Sequence, residues 1–157
     1  MASRAAGTYP PVPEPLAHPI VDTHTHLDIC TGVRLPLGAG EPEPEVTPDE
    51  DEEFPSLDFF HDTAAEAGVR RIVQIGCDLP AARWTTELVA SQYSGTSAEA
   101  ADPRTVPTPP AEGRTWMIGG AALHPNEAPR LAERGLLDDA LTEIESLVSS
   151  HDRMRVV

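Results

Sequence analysis

Short β-branched runs and longer amphipathic stretches alternate along this chain. Ile20 to Thr23 is a brief apolar run, Val69 to Ile75 (Val-Arg-Arg-Ile-Val-Gln-Ile) reads as a β-branched strand, Trp116 to Leu123 as a third, and Met154 to Val157 begins a fourth. Helical signals lie between them. Ser56 is placed to N-cap Leu57 to Ala67, with Gly68 as the stop, and Asp78 to cap a helix running from Pro80 to about Gln92. Leu136, Leu137, Ala140, Leu141, Ile144, Leu147 and Val148 recur at spacings of three and four, which predicts one buried face of a third helix. Strand starts roughly forty to fifty residues apart are the rhythm of parallel βα units.

Fourteen of the 17 prolines fall in three stretches, Pro10 to Pro19, Pro36 to Pro55 and Pro103 to Pro110, which marks these as loops rather than elements. The expected organisation is a flexible arm over residues 1–17 and an α/β body over 18–157, with disordered inserts near 36–55 and 94–114. The first of these inserts is set apart by charge. Eight acidic side chains lie between Glu41 and Glu53, about half of the net charge of −15 that 26 Asp and Glu and only 11 basic residues produce. Such a balance excludes a basic surface built to hold nucleic acid non-specifically.

With 157 residues the chain has the size of one ordinary domain or part of a larger one. The sequence contains no apolar run of the roughly 18 residues a membrane span requires, and its first residues lack the plan of a signal peptide. Cys30 and Cys77 therefore read as reduced thiols of a cytoplasmic protein, packed rather than metal-bound. No membrane and no obligate protein partner is expected. A four-stranded parallel sheet that stops on Val156-Val157 is expected to be a piece of a barrel rather than a complete doubly wound sheet.

Chemistry concentrates at the end of the first strand. In Asp22-Thr23-His24-Thr25-His26-Leu27-Asp28, two histidines two residues apart point to one side of an extended chain, so that both imidazoles can reach one point. Imidazole suits zinc and its neighbours, and added carboxylates widen the choice to Mg or Mn. Asp22 and Asp28 flank the pair; each is read as orienting an imidazole, with pairing to backbone as the equal alternative for Asp22. Asp78 reads as a helix cap. His18, His61 and His151 read as surface histidines, and Arg83 and Arg130 as solvated arginines with a phosphate contact as the lesser reading.

The Asp22 to Asp28 run resembles the opening motif of the TatD-type metal-dependent hydrolases, a deoxyribonuclease family among the metallo-dependent TIM-barrel hydrolases. Arg71 to Trp84 (R-I-V-Q-I-G-C-D-L-P-A-A-R-W) is similar to that family's second strand and its turn into a helix. Ile118 to Pro129 (I-G-G-A-A-L-H-P-N-E-A-P) is similar to its third strand, with Ala122 where the family's Gly-x-His-Pro signature has Gly. The resemblance implies a TIM-barrel fragment holding about the first three βα units and the start of strand four. It also implies one or two divalent cations (Mg, Mn or Zn) in the complete enzyme, with His24 and His26 as ligands and DNA or another phosphodiester as substrate. His124 would then face the substrate, or else be a turn residue held by Pro125. The family's bridging Glu and general-base Asp would lie beyond Val157, so this chain is expected to be inactive alone. Two other readings stay open: an amidohydrolase cleaving C–N bonds on the same barrel, and a non-catalytic truncated or interaction product.

Overall fold

The computed structural model describes residues 9–43, 53–92 and 116–157. Four strands, β1 (Ile20–Thr25), β2 (Val69–Gly76), β3 (Trp116–Ala121) and β4 (Met154–Val156), pair in the order β1-β2-β3-β4, every neighbour parallel. Helices α1 (Leu27–Cys30), α2 (Leu57–Ala67), α3 (Leu79–Ser91), α4 (Glu127–Glu133) and α5 (Leu137–Ser150) occupy the connections. The chain is thus a mixed α/β structure on a parallel sheet. Among the described residues no helix is long and apolar enough to cross a membrane.

Local chemistry accounts for the two best-marked helices. The Ser56 hydroxyl accepts from the Phe59 amide at 3.1 Å to open α2, and Gly68 closes it with φ +93°, a left-handed value that a side chain would resist. Asp78 opens α3 by accepting from the Ala81 amide at 2.7 Å. The helix begins at Leu79, one residue before Pro80, which sits in the first turn where its missing N–H costs nothing. Helices α1 and α4 carry no side-chain cap bond and no long apolar period, and the pattern of apolar positions did not announce them.

Two clusters pack the helices onto one face of the sheet. Ile72 and Met117 meet Leu88 and Val89 of α3, with Leu57 and Phe60 of α2 and Trp84 against them. Ala121 and Met154 meet Leu79 and Ala82 of α3, Leu131 of α4 and Ala140 and Ile144 of α5. Strands in unbroken sequential order with all their crossovers of one hand place the helices on a common side. That geometry differs from a doubly wound sheet, where the strand order reverses and helices cover both faces.

Residues 9–17, the described part of the expected flexible arm, touch α2. The ring of Tyr9 lies 5.2 Å from that of Phe59, and the Leu16 amide donates to the Ala67 carbonyl at 3.1 Å, one of the otherwise orphaned carbonyls at the end of α2. His61 also differs from the surface reading: it is 3% exposed on the buried side of α2. Within the acidic insert, Glu41 and Gly40 accept hydrogen bonds from Arg83 and Arg134. Residues 1–8 of the arm, 44–52 of the acidic insert and the expected linker at 94–114 lie outside the described residues.

Candidate metal-binding site at the strand ends

In a parallel sheet the C-terminal ends of the strands open onto the loops that carry chemistry. Here those ends deliver His26 after β1, Cys77 and Asp78 after β2, and His124 after β3, and all four line one cleft of about 860 Å³. Its opposite wall is the segment Val33–Glu43, with Val33, Leu35 and Leu37 facing in and Phe54 beside them.

The register of β1 against β2 is irregular between Asp22 and Thr25. Asp22 turns its carboxylate onto the His24 amide at 3.1 Å, which satisfies a backbone donor left by that irregularity. The two imidazoles then meet edge to face, with centroids 4.9 Å apart and the two Nε2 atoms at 3.0 Å. His26 Nδ1 lies 3.0 Å from the Ile75 carbonyl oxygen. A carbonyl only accepts, so in the neutral ring Nδ1 carries the proton and Nε2 accepts from His24 Nε2–H; a metal ion would take the place of that shared proton. This bond does for His26 what Asp22 and Asp28 were expected to do. A backbone carbonyl 49 residues away orients the imidazole, while both carboxylates are engaged elsewhere.

Asp28 is 6% exposed, and its partner is the amide of Gln74 at 3.2 Å. Gln74 is fully buried on β2. Its Oε1 accepts from the Leu27 amide at 2.7 Å, and its Nε2 also reaches Thr85 Oγ1 at 3.3 Å. This network holds the turn that follows His26, and sequence reasoning overlooked it because one Gln in a β-branched run carries no motif. Register is the signal that finds it, since Thr25 pairs with Gln74.

His124 is exposed at the mouth of the cleft. Its amide donates to the Cys77 carbonyl at 2.8 Å, tying the end of β3 to the end of β2, and its Nδ1 accepts from the Asn126 amide at 3.2 Å. The neutral ring therefore carries its proton on Nε2, a donor free to meet an oxygen of a bound molecule.

The cleft is rich in carboxylates. Asp28, Glu41, Glu43, Asp78 and Glu127 line it with Arg34. Burial raises the Cys77 thiol to about 11, helped by the neighbouring charges of Asp78 and Asp28, so it stays protonated at neutral pH. Burial likewise raises Asp78 above its ordinary value, its bond to the Ala81 amide pulling the other way. Both cysteines are free thiols.

Arg83 and Arg130 are partly exposed but ion-paired rather than free. Arg83 bridges Glu41 and Glu143, and Arg130 pairs with Glu127 at 2.6 Å and donates to the Glu43 carbonyl.

His26, Asp28 and His124 therefore share one cleft, and His24 touches it only through His26. Asp22 is exposed and bound to backbone. Among the described residues no group of three or more His, Cys, Asp or Glu side chains is placed to hold a metal ion. The chain matches no family model, no curated protein and no solved structure.

Proposed function

We propose that this chain forms the first part of a metal-dependent hydrolase barrel of the TatD type, with His24 and His26 as ligands to a divalent cation, Mg, Mn or Zn. The observation that carries this reading is the 3.0 Å approach of the two Nε2 atoms at the C-terminal end of β1, with the His26 proton committed to Ile75 on the far side of the ring. Imidazole–metal bonds of about 2.0–2.1 Å let one ion reach both nitrogens at that spacing. The unreversed strand order with helices on one face supports a barrel segment over a doubly wound sheet.

A divalent cation would supply Lewis-acid polarisation of the scissile group and a nucleophile drawn from water at neutral pH. This chain's own residues orient and donate. Ile75 and Gln74 hold His26 and its turn, and His124 offers its Nε2 proton to an oxygen of the substrate.

DNA or another phosphodiester is the substrate the motif resemblance favours. A specific feature favours the C–N hydrolase alternative. Among the described residues the cleft is lined by five carboxylates against one arginine, Arg34, and the two arginines weighed for a phosphate contact, Arg83 and Arg130, are ion-paired. A compact uncharged amide meets less repulsion there than a polyanion does.

Half of a four-ligand shell corresponds to about 5–8 kcal/mol, a Kd of roughly 1 to 200 µM for zinc. Calorimetric titration of the 157-residue chain with Zn or Mn is expected to show one such site, weakened at least about tenfold by either His24→Ala or His26→Ala. A site that survives both substitutions would remove these histidines as ligands.

Activity gives a separate test. The chain alone is expected to show no chelator-sensitive cleavage of single-stranded DNA or of a cyclic amide, because two imidazoles leave a cation loosely held. Turnover of either substrate that disappears in both histidine variants would show that these residues assemble a working site and would name its substrate class.

A further inference from the structure

We propose that the segment Val33–Glu43 is a strap latched across the cleft by arginines of α3 and α4, so that entry to the floor formed by His26 and Cys77 is governed by the Arg83–Glu41 ion pair. The proposal is independent of any metal at His24 and His26.

The strap has no regular structure of its own in the described residues, and its apolar side chains Val33, Leu35 and Leu37 form a wall of the cleft. Three arginines hold its far end. Arg83 grips the Glu41 carboxylate with both terminal nitrogens, Nη2 to Oε1 at 2.5 Å and Nη1 to Oε2 at 3.1 Å. Arg134 donates to the Gly40 carbonyl at 2.9 Å, and Arg130 to the Glu43 carbonyl. Glu143 of α5 takes the other edge of Arg83 at 2.6 and 2.9 Å, which aims the guanidinium at the strap before the strap arrives. The Gly38 amide also donates to Glu41 at 2.7 Å, closing the strap's own turn on the same carboxylate.

A fastening of this kind differs from a β ladder or a packed helix. It is made by side-chain guanidinium groups gripping one carboxylate and two carbonyls, so it can release without unfolding the sheet. Glu41 is deeply placed, its side chain 7% exposed, while Arg83 keeps 29%, open enough for salt to weaken the pair. Burial opposes the Glu41 charge, yet the Arg83 bonds, the Gly38 amide and the Arg83 charge together hold its carboxyl below the ordinary range. Charge also supplies the opening force. Asp78 feels Asp28, Glu127 and Glu41 as like neighbours, so a strap without its arginine faces repulsion from the acids of the cleft.

Cys77 on the floor reports on access. In the full chain carrying Cys30→Ser it is the remaining thiol, because the sequence contains two cysteines. The readout is the ratio of labelling rates with a bulky neutral polyethylene-glycol maleimide and with N-ethylmaleimide. Changes in thiolate fraction cancel in that ratio, whereas changes in the size of the entrance do not. Arg83→Gln and Glu41→Gln are each expected to raise the ratio about tenfold at low salt. The unmodified latch should approach the same value between about 0.05 and 1 M NaCl, and Glu41→Gln, which lacks both the ion pair and the Glu41 charge, should respond least to salt. Glu41→Gln lies outside the apolar core, so it keeps the test available if Arg83→Gln folds poorly. A ratio unchanged in Glu41→Gln, or one that rises only in step with a lowered melting temperature, would overturn the latch.

Discussion

Replacing Gln74 by leucine is expected to lower the unfolding free energy by about 3–5 kcal/mol, a large part of a small domain's stability. Leucine fills similar space but has no polar atoms. The Leu27 amide, now 2.7 Å from Gln74 Oε1, and the Asp28 carboxylate, 3.2 Å from Gln74 Nε2, both lose their partner in a buried place. Each such orphan costs about 1–3 kcal/mol, more when it is charged. Urea denaturation followed by circular dichroism measures the loss. Gln74→Glu is the informative companion, because it keeps an acceptor for Leu27 while setting a second carboxylate against Asp28, and it should also destabilise. The same network steadies the turn after His26, so the zinc site proposed at His24 and His26 should weaken in the leucine variant as well. An unchanged denaturation midpoint in Gln74→Leu would show that the buried network contributes nothing.

Gly76→Ala is expected to cost about 3 kcal/mol and lower the melting temperature by roughly 10 °C or more. A Cβ at this position would lie 2.5 Å from the Ala81 carbonyl carbon and from the Ala82 nitrogen and Cα. Those atoms are the backbone of the first turn of α3, which cannot swing aside as a flexible side chain does. Moving that turn breaks the Asp78 cap at 2.7 Å and disturbs Leu79, Ala81 and Ala82, all at most 5% exposed. It also displaces Cys77 and Asp78 from the cleft floor, so the Cys77 labelling rate should change together with stability. A melting temperature within about 2 °C of the parent would show that α3 is not seated on the strand end in this way.

How much of this was legible follows from the range of each interaction. Ser56, Gly68 and Asp78 announce their helix boundaries because a cap acts within three residues, and the structure places them in those roles. The β-branched run at Val69 predicts β2, which extends one residue further than expected, to Gly76. The period from Leu136 predicts α5, whose face meets the sheet through Ala140 and Ile144. Helices α1 and α4 were missed, being too short for a period to show. The flexible arm and the disordered acidic insert were expected from composition alone. Composition does not say that α2 ends with an unpaired carbonyl for Leu16, or that Arg83 stands where Glu41 arrives.

Among the site residues, spacing brings His24 and His26 together, since alternation along a strand is a local property of the backbone. The sequence by itself determined a parallel βα order, its capped helices and the pairing of His24 with His26. Tertiary structure decided which groups orient them. Ile75 lies 49 residues from His26 and Gln74 lies 47 from Leu27, and Glu41 is 42 from Arg83. No pattern of neighbours encodes such partners, because they are chosen by strand register and by where a strap crosses a helix, and both exist only once the chain is folded.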